Sequence, residues 1–282
     1  MKKGLVLEGG AMRGLFTAGI LDVLMEEGIL FDGVVGVSAG AAFGINYVSR
    51  QKGRPIRYNK RFAKDWRYCG LRSWLKTGDL FGAKFAYHDI PNLFDPFDNE
   101  TFESSTINFH LVCTDVETGE AVYKLLKKGG DVCYDWVRAS ASMPMVSRPV
   151  PLEGKKLLDG GVADSIPLEY FEQQGYERNV VILTQPIGYT KKHNPLMPLL
   201  RLSLHQYPKM VKALDQRHIM YNAQLDYVRR REEEGRVLVI RPKEKLKIGH
   251  ISHDPEEMQA VYDCGIEAAH EHLEAIKRFL SE

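Results

Sequence analysis

The sequence predicts an α/β protein built on a mainly parallel sheet, and three observations point there. Residues 5–7 form a short apolar run that stops at Gly9-Gly10, and residues 15–25 then carry apolar side chains at helical spacing. The order repeats at once: Val34-Val35-Gly36-Val37 is an apolar, β-branched run, Ser38-Ala39-Gly40 a tight turn, and residues 41–48 a helix of small residues. Two strand–turn–helix units in series call for parallel strands with helices packed over them. The chain of 282 residues, 44% hydrophobic and 27% charged, is long enough to cover such a sheet as one domain, residues 1–282.

The later elements follow from local pattern. Residues 66–97 are rich in aromatic side chains and glycine but show no clean period, which predicts irregular structure over the sheet edge, either a packed excursion or a substrate-facing cap. Residues 107–113 and 121–125 read as strands around Thr118-Gly119, residues 134–142 as a helix stopped by Pro144, and residues 156–158 as a strand ended by Asp159-Gly160-Gly161. Beyond them, residues 168–174 read as helix, 180–184 and 236–240 as buried strands, and 256–280 as a long closing helix. Residues 196–218 carry Leu199, Leu200, Leu202, Met210 and Leu214 among Arg201, Lys209, Lys212 and Arg217. Such a stripe serves either a peripheral membrane contact or, more commonly, a core-packed helix with a solvated face.

Composition narrows the partners. With 38 basic and 37 acidic residues the net charge is +1, so no overall field draws the protein to nucleic acid, and any membrane contact is local. Cys69, Cys113, Cys133 and Cys264 lie far apart with no C-x-x-C pair, which predicts reduced packing residues and no zinc or redox site. Met1-Lys2-Lys3 is charged like the start of a signal peptide, but Glu8 and Gly9-Gly10 interrupt the apolar run that follows. No later run approaches the roughly 18 apolar residues of a membrane-spanning helix, and the expected location is the cytoplasm. The sequence carries no signature of oligomeric state.

The chemistry concentrates in three turns. Gly36-Val37-Ser38-Ala39-Gly40 fits G-x-S-x-G, in which small neighbours let the chain turn from strand to helix and leave a serine hydroxyl exposed. The bare motif is common, but here the strand before it and the helix after it supply the context it needs. Gly9-Gly10-Ala11-Met12-Arg13-Gly14 is a second loop between strand and helix, of the kind that turns several backbone N–H groups toward an anion. A dinucleotide loop would need glycine where Ala11 stands, and a phosphate-binding loop would need Lys and Ser or Thr where Leu15-Phe16 stand. What is left is a cradle for the oxyanion formed when Ser38 attacks a carbonyl, each donor contributing roughly 3–4 kcal/mol.

The proton acceptor has two readings. A triad in the order Ser, Asp, His could draw on His205, His218, His250 or His253, none of which sits at a glycine-flanked strand end. Asp159 does, ahead of Gly160 and Gly161, and is either a turn cap or a base.

The runs G-G-A-M-R-G, G-V-S-A-G and D-G-G, in this order, resemble the signature blocks of patatin-like phospholipases, and Ala139-Ser140-Ala141-Ser142-Met143-Pro144 is similar to a segment lining the site in that family. The similarity spans residues 4 to about 167, with a recognisable core to about 190 and little after it. The resemblance implies a three-layer α/β/α fold and a lipid or fatty-acyl ester as substrate. It implies a dyad of Ser38 as nucleophile and Asp159 as base, with no third catalytic residue and no required metal or other cofactor. Gly9, Gly10, Ala11, Met12, Arg13 and Gly14 become the oxyanion loop, supported by Gly36, Gly40, Gly160 and Gly161. Ala11 departs from the family's glycine run, and an alanine there takes positive φ only at a cost. A conventional Ser–His–Asp esterase or thioesterase and a non-enzymatic acyl-lipid binder are the alternatives.

Overall fold

A computed structural model describes residues 1–281. In chain order the elements are β1 (Lys2–Leu7), α1 (Gly14–Glu26), β2 (Gly33–Val37), α2 (Ala39–Val48), α3 (Arg54–Phe62), α4 (Leu71–Thr77), α5 (Asn99–Ser104), β3 (Asn108–Asp115), β4 (Ala121–Leu126) and α6 (Asp131–Ala141). They continue with β5 (Val150–Leu152), β6 (Lys155–Asp159), α7 (Leu168–Gln173), β7 (Tyr176–Ile182), α8 (Met197–Ser203), α9 (Pro208–Glu233), β8 (Val237–Ile240) and α10 (Pro255–Ser281).

The strands form one sheet in the order β5-β6-β3-β2-β1-β7-β8, with β4 also paired to β3. From β3 to β8 the neighbours are parallel, in registers such as Leu5↔Val34 and Val6↔Val181, while β4 and β6 join β3 antiparallel. The alternation of side chains along the central strands separates the two layers above and below. Leu5, Leu7 and Val34 pack with Phe16 of α1, Phe43 of α2, Trp136 of α6 and Met258 of α10. Val6, Val35, Val37 and Val112 face the other way, onto Leu168 and Phe171 at α7 and Tyr221 and Val228 of α9. This is the expected three-layer α/β/α fold.

The chain after residue 190 is woven into these layers. β8 extends the sheet beside β7, and α10 lies on α1 so closely that a Cβ on Gly265 would come within 2.0 Å of the Phe16 carbonyl. Only glycine lets the two backbones touch in this way. Tyr262 Oη of α10 also donates to the Asp22 carboxylate of α1 at 2.5 Å.

Several elements depart from the sequence expectations. Residues 66–97 contain α4 and a π-helical stretch, Phe85–Phe94, with Pro91 inside it. Proline withholds an N–H from the helical ladder, so a wider turn and an apolar pattern without period go together. Phe62, Phe85 and Phe94 pack ring against ring at 5.2–5.8 Å and give this excursion a small core of its own. Residues 196–218 are two helices, α8 and α9, split before Pro208. Met197, Leu200, Met210 and Leu214 are buried against Leu158, whereas Leu196, Leu199 and Leu202 face out. β7 begins at Tyr176, ahead of the apolar run, and the short strand β5 has no pattern to announce it. Cys69, Cys113 and Cys133 are buried free thiols, but Cys264 is exposed on α10, which corrects its reading as a packing residue. Among the described residues no helix is long and apolar enough to cross a membrane.

Candidate active site

Ser38 stands at the junction of β2 and α2 with φ 55 and ψ −121. A non-glycine residue held there stores roughly 1–3 kcal/mol of backbone strain, which the surrounding packing must offset. Gly36 and Gly40 bracket the turn, and Gly9 presses on it from the neighbouring loop: a Cβ on Gly9 would meet Ser38 Cβ and the Val37 carbonyl at 3.0 Å. The Ser38 amide donates to Ser140 Oγ at 3.0 Å, and Ser140 Oγ donates onward to the Val112 carbonyl at 2.6 Å. Ser140, from α6, thus ties the turn to β3.

Asp159 ends β6. Its amide donates to the Ser142 carbonyl at 2.8 Å, its own carbonyl accepts from Thr114 Oγ1 at 2.8 Å, and its carboxylate accepts from the Gly161 amide at 2.8 Å. The strand end therefore fixes the backbone, and Gly160-Gly161 folds back over the side chain. The Ser38 side chain lies near enough to this carboxylate to act on its titration. Burial raises the Asp159 pKa above the ordinary carboxylate value, against smaller opposing effects of Ser38, Arg217 and Gly161. Ser38 is 8% exposed and Asp159 6%. A desolvated carboxylate beside a strained serine is an arrangement that can move a proton off the serine hydroxyl.

The loop after β1 turns tightly through Ala11–Arg13. Ala11 takes φ 49, the costly conformation expected of an alanine in place of glycine, so the loop keeps its turn and carries the strain. Among the described residues the Gly9 and Gly10 amides have no acceptor within the protein, and the Arg13 amide donates to the Gly10 carbonyl at 3.1 Å. Gly14 packs against Ala39 and Phe43 at the start of α2, bringing the loop beside Ser38.

A cavity of about 110 Å³ opens on Ser38. Its walls are mostly apolar and come from Met12, Ala39 and Phe43, from Tyr87 and Ile90 of the π-helical stretch, and from Val137 of α6. The aromatic excursion therefore packs on its own small core and also forms a wall of the cavity.

Three of the four downstream histidines are engaged elsewhere, and the fourth, His250, lies at the edge of the site without a hydrogen bond to the dyad. His205 Nδ1 pairs with the Leu202 carbonyl at 3.0 Å, His218 Nδ1 with the Asp215 carbonyl at 3.1 Å, and His253 Nδ1 with the Ala63 carbonyl at 2.5 Å. His250 sits near Arg13, Lys191 and Arg217. Among the described residues no hydrogen bond joins any of these rings to Ser38 or Asp159, and no cluster of three or more His, Cys, Asp and Glu is placed to hold a metal ion.

The site also recruits residues that local pattern could not announce. Glu8 is buried beside the loop, where Tyr221 Oη of α9 donates to one oxygen while the Thr184 amide and hydroxyl donate to the other, at 2.5 and 3.2 Å. Burial raises its pKa. From the same helix, Arg217 Nε donates to the Gly161 carbonyl. The one available signal is Glu8 itself, a charge at the end of a buried strand; Arg217 and Tyr221 have no motif around them.

Comparison with known proteins bears on the family and the fold. A family model described as patatin-like phospholipase matches residues 5–172, and one described as a domain of unknown function (DUF6363) matches residues 207–281. The chain is 27% identical over 198 residues to the lysophospholipase NTE1 of Kluyveromyces lactis, covering 68% of this chain and 13% of that protein. It is 30% identical over 188 residues to the uncharacterized protein YjjU of Escherichia coli, covering 64% of this chain and 52% of YjjU. The chain thus corresponds to a small part of the fungal relative and about half of the bacterial one. VipD of Legionella pneumophila shares the fold at a TM-score of 0.50 and 15% identity, over 97% of this chain and 67% of VipD. With its match running through more than half of the chain, from the first strand past the Asp159 turn, this protein belongs to the patatin-like phospholipase family.

Proposed function

We propose that the protein is a serine acyl-ester hydrolase for lipid acyl esters, working through a Ser38–Asp159 dyad. The observation that carries this is a strained Ser38 that lines an apolar cavity and lies beside the buried Asp159 carboxylate. Family membership and the names of the fungal relatives, which are lysophospholipases, support a lipid substrate.

The chemistry follows from the groups present. Ser38 Oγ attacks the ester carbonyl while Asp159 accepts its proton; the oxyanion is held by amides of the loop from Gly9 to Gly14. The intermediate collapses, the C–O bond to the alcohol breaks, and Asp159 returns the proton to the departing oxygen. Water then attacks the acyl-enzyme, gives its proton to Asp159, and the carboxylic acid leaves as Ser38 recovers the hydrogen. Burial makes Asp159 a stronger base than an ordinary carboxylate, which narrows its distance from the serine hydroxyl in proton affinity. Arg13 and Met12 shape the loop, and the acyl chain lies in the cavity. No step draws on a metal, so chelators should leave the rate unchanged; loss with EDTA and recovery with calcium would contradict the reading. Residues 1–281 act as one domain in this mechanism, since α9 and α10 complete both helical layers.

Labelling with a serine-directed fluorophosphonate, followed by a panel of fatty-acyl esters, lysophospholipids and phospholipids, tests the proposal. Wild type should label and hydrolyse, and Ser38→Ala should do neither. A folded wild type that does not label is a binding protein, not a hydrolase.

A further inference from the structure

The cavity that opens on Ser38 is not apolar throughout. Besides Ala39, Ala42 and Phe43 of α2, its lining takes in Arg54 at the start of α3, with Tyr58 and Asn59 from the same helix. Arg54 is the one charged residue among the described walls, and it is 5% exposed. Its guanidinium carbon sits 5.4 Å over the Tyr58 ring and 5.5 Å over the Phe97 ring, and both rings line the cavity. Nη1 donates to Asn46 Oδ1 of α2 at 2.8 Å. Ser38 caps the start of α2, and Asn46 stands near its end. At about 1.5 Å of rise per residue the two are roughly 12 Å apart along the helix. The cavity therefore has the nucleophile toward one end of α2 and a buried guanidinium toward the other.

This guanidinium is incompletely matched. Nε and Nη2 donate to the Asp95 carbonyl at 3.1 and 2.6 Å, and Nη1 to Asn46. A further N–H on Nη1 and another on Nη2 have no acceptor among the described residues. The ion pair of Arg54 is with Asp95, Nε to Oδ1 at 3.4 Å, but both Asp95 oxygens are held more closely by Arg57, at 2.7 and 2.8 Å. Two guanidinium groups thus share one carboxylate. Arg57 is 54% exposed and stays hydrated, so the imbalance falls on the buried partner. A buried cation with donors to spare is destabilising until an anion completes it. Paired N–H groups on one guanidinium match the two oxygens of a carboxylate. A tie between α2, α3 and Asp95 is met by the bonds already made, and it accounts for neither the spare donors nor the unshared charge.

We propose that Arg54 seats a carboxylate at the far end of the acyl chain, so that the acyl half of the preferred substrate is a dicarboxylic acid esterified at one end. The proposal rests on the hydrolase reading for its reaction and on the cavity for its seat. The chain has roughly 12 Å to span from Ser38. At about 1.2 Å per bond of extended chain, an acyl group of about ten carbons matches that span. Hydrolysis breaks the bond between the acyl carbon and the alcohol oxygen and adds the oxygen of water to that carbon. The alcohol leaves with a proton, and the distal carboxylate passes through unchanged.

Two arms test it on the full chain. In the first, kcat/KM is measured for aryl half-esters of straight dicarboxylic acids running from about six to about twelve carbons. Aryl esters of the matching monocarboxylic and terminally hydroxylated acids are measured beside them, all below their micelle concentrations. Near ten carbons the half-ester should outrun the monocarboxylic ester by about tenfold. At about six carbons, too short to reach Arg54, the advantage should vanish. Arg54→Met should lower the ratio of the two rates near ten carbons by about tenfold or more, and loss of folded protein does not change that ratio. In the second arm, Ser38→Ala protein is titrated calorimetrically with the monomethyl ester of decanedioic acid and with methyl decanoate, and the half-ester should bind about tenfold more tightly. If Arg54→Met does not fold, the wild-type chain-length profile and this titration still decide. Equal cleavage and equal binding of the two ester types overturn the seat and leave the hydrolase. Preferential binding without cleavage of any ester overturns the hydrolase and leaves the seat. A hydroxylated chain favoured as strongly as the half-ester overturns the assignment to an anion, and a preference that survives Arg54→Met overturns Arg54 as its seat.

Discussion

The two ends of the chain meet at the same site by opposite means. Up to residue 172 the site is made of turns: Ser38 and Ala11 both stand at positive φ, and all five non-glycine residues with positive φ among the described ones, Ala11, Ser38, Arg50, Met145 and Glu153, lie in this part. After residue 190 the hydrogen bonds to the site come from a regular helix, α9, with Arg217 meeting Gly161 and Tyr221 meeting Glu8. Two of these five strained residues, Ala11 and Ser38, stand at the candidate site, and a regular helix brings Arg217 and Tyr221 to it. The difference teaches that, in the proposed mechanism, presenting the reacting atoms and tuning their surroundings are separable tasks, carried by separate segments of the chain.

Breaking the first task should cost most. Ser38→Ala removes the hydroxyl from an 8%-exposed position with little packing change, and kcat/KM should fall by about a thousandfold or more without loss of folding by circular dichroism. A larger residual rate would move the nucleophile elsewhere. Breaking the attachment of the second segment should cost stability next. Gly265→Leu drives a side chain into the Phe16 carbonyl and should lower the unfolding free energy by about 3 kcal/mol in urea. A change within about 0.5 kcal/mol would mean that α1 and α10 do not meet backbone to backbone.

Finer effects separate charge from scaffold. Tyr221→Phe strips one donor from the buried Glu8 and should cost about 1–3 kcal/mol at neutral pH. Losing that donor raises the folded-state pKa of Glu8 further above its unfolded value. The deficit is therefore full where Glu8 is ionised and should shrink as pH falls through its raised pKa. A deficit that is the same on both sides of that titration would assign it to packing. Asp159→Asn should act in the other direction on stability. Because burial raises the Asp159 pKa, the ionised carboxylate destabilises the fold, and its removal should stabilise by about 0.5–2 kcal/mol at neutral pH. That gain should fade in acid, where wild-type Asp159 also becomes neutral. A destabilised Asp159→Asn at neutral pH would show that the carboxylate's contacts with Ser38, Arg217 and Gly161 outweigh its burial.

What can be read from the sequence follows the same division. The order of strands and helices is legible because each opening unit is local: an apolar run, small residues at the turn and a helical period fall within about 20 residues. Ser38, Asp159 and the loop from Gly9 to Gly14 stand out for the same reason, and the fold brings them together. Residues 85–94 escape because a π-helical turn with an internal proline has no period to detect. The split between α8 and α9 is marked only by Pro208, which reads equally as an interruption or as a first-turn residue. Arg217 and Tyr221 are illegible as site residues, since their partners Gly161 and Glu8 are far away in sequence and near in space.

Whether Asp159 is itself the base decides between dyad and triad. In a triad its loss leaves measurable activity and a histidine is equally or more critical; in a dyad nothing stands behind it. The decisive measurement is kcat/KM for a short-chain aryl ester across Ser38→Ala, Asp159→Asn, their double mutant and single substitutions of His205, His218, His250 and His253, with folding checked by circular dichroism. Asp159→Asn should fall to about the level of Ser38→Ala, the double mutant should be no worse, and no histidine variant should lose more than about tenfold. One folded histidine variant as inactive as Ser38→Ala would contradict the dyad and restore a conventional triad.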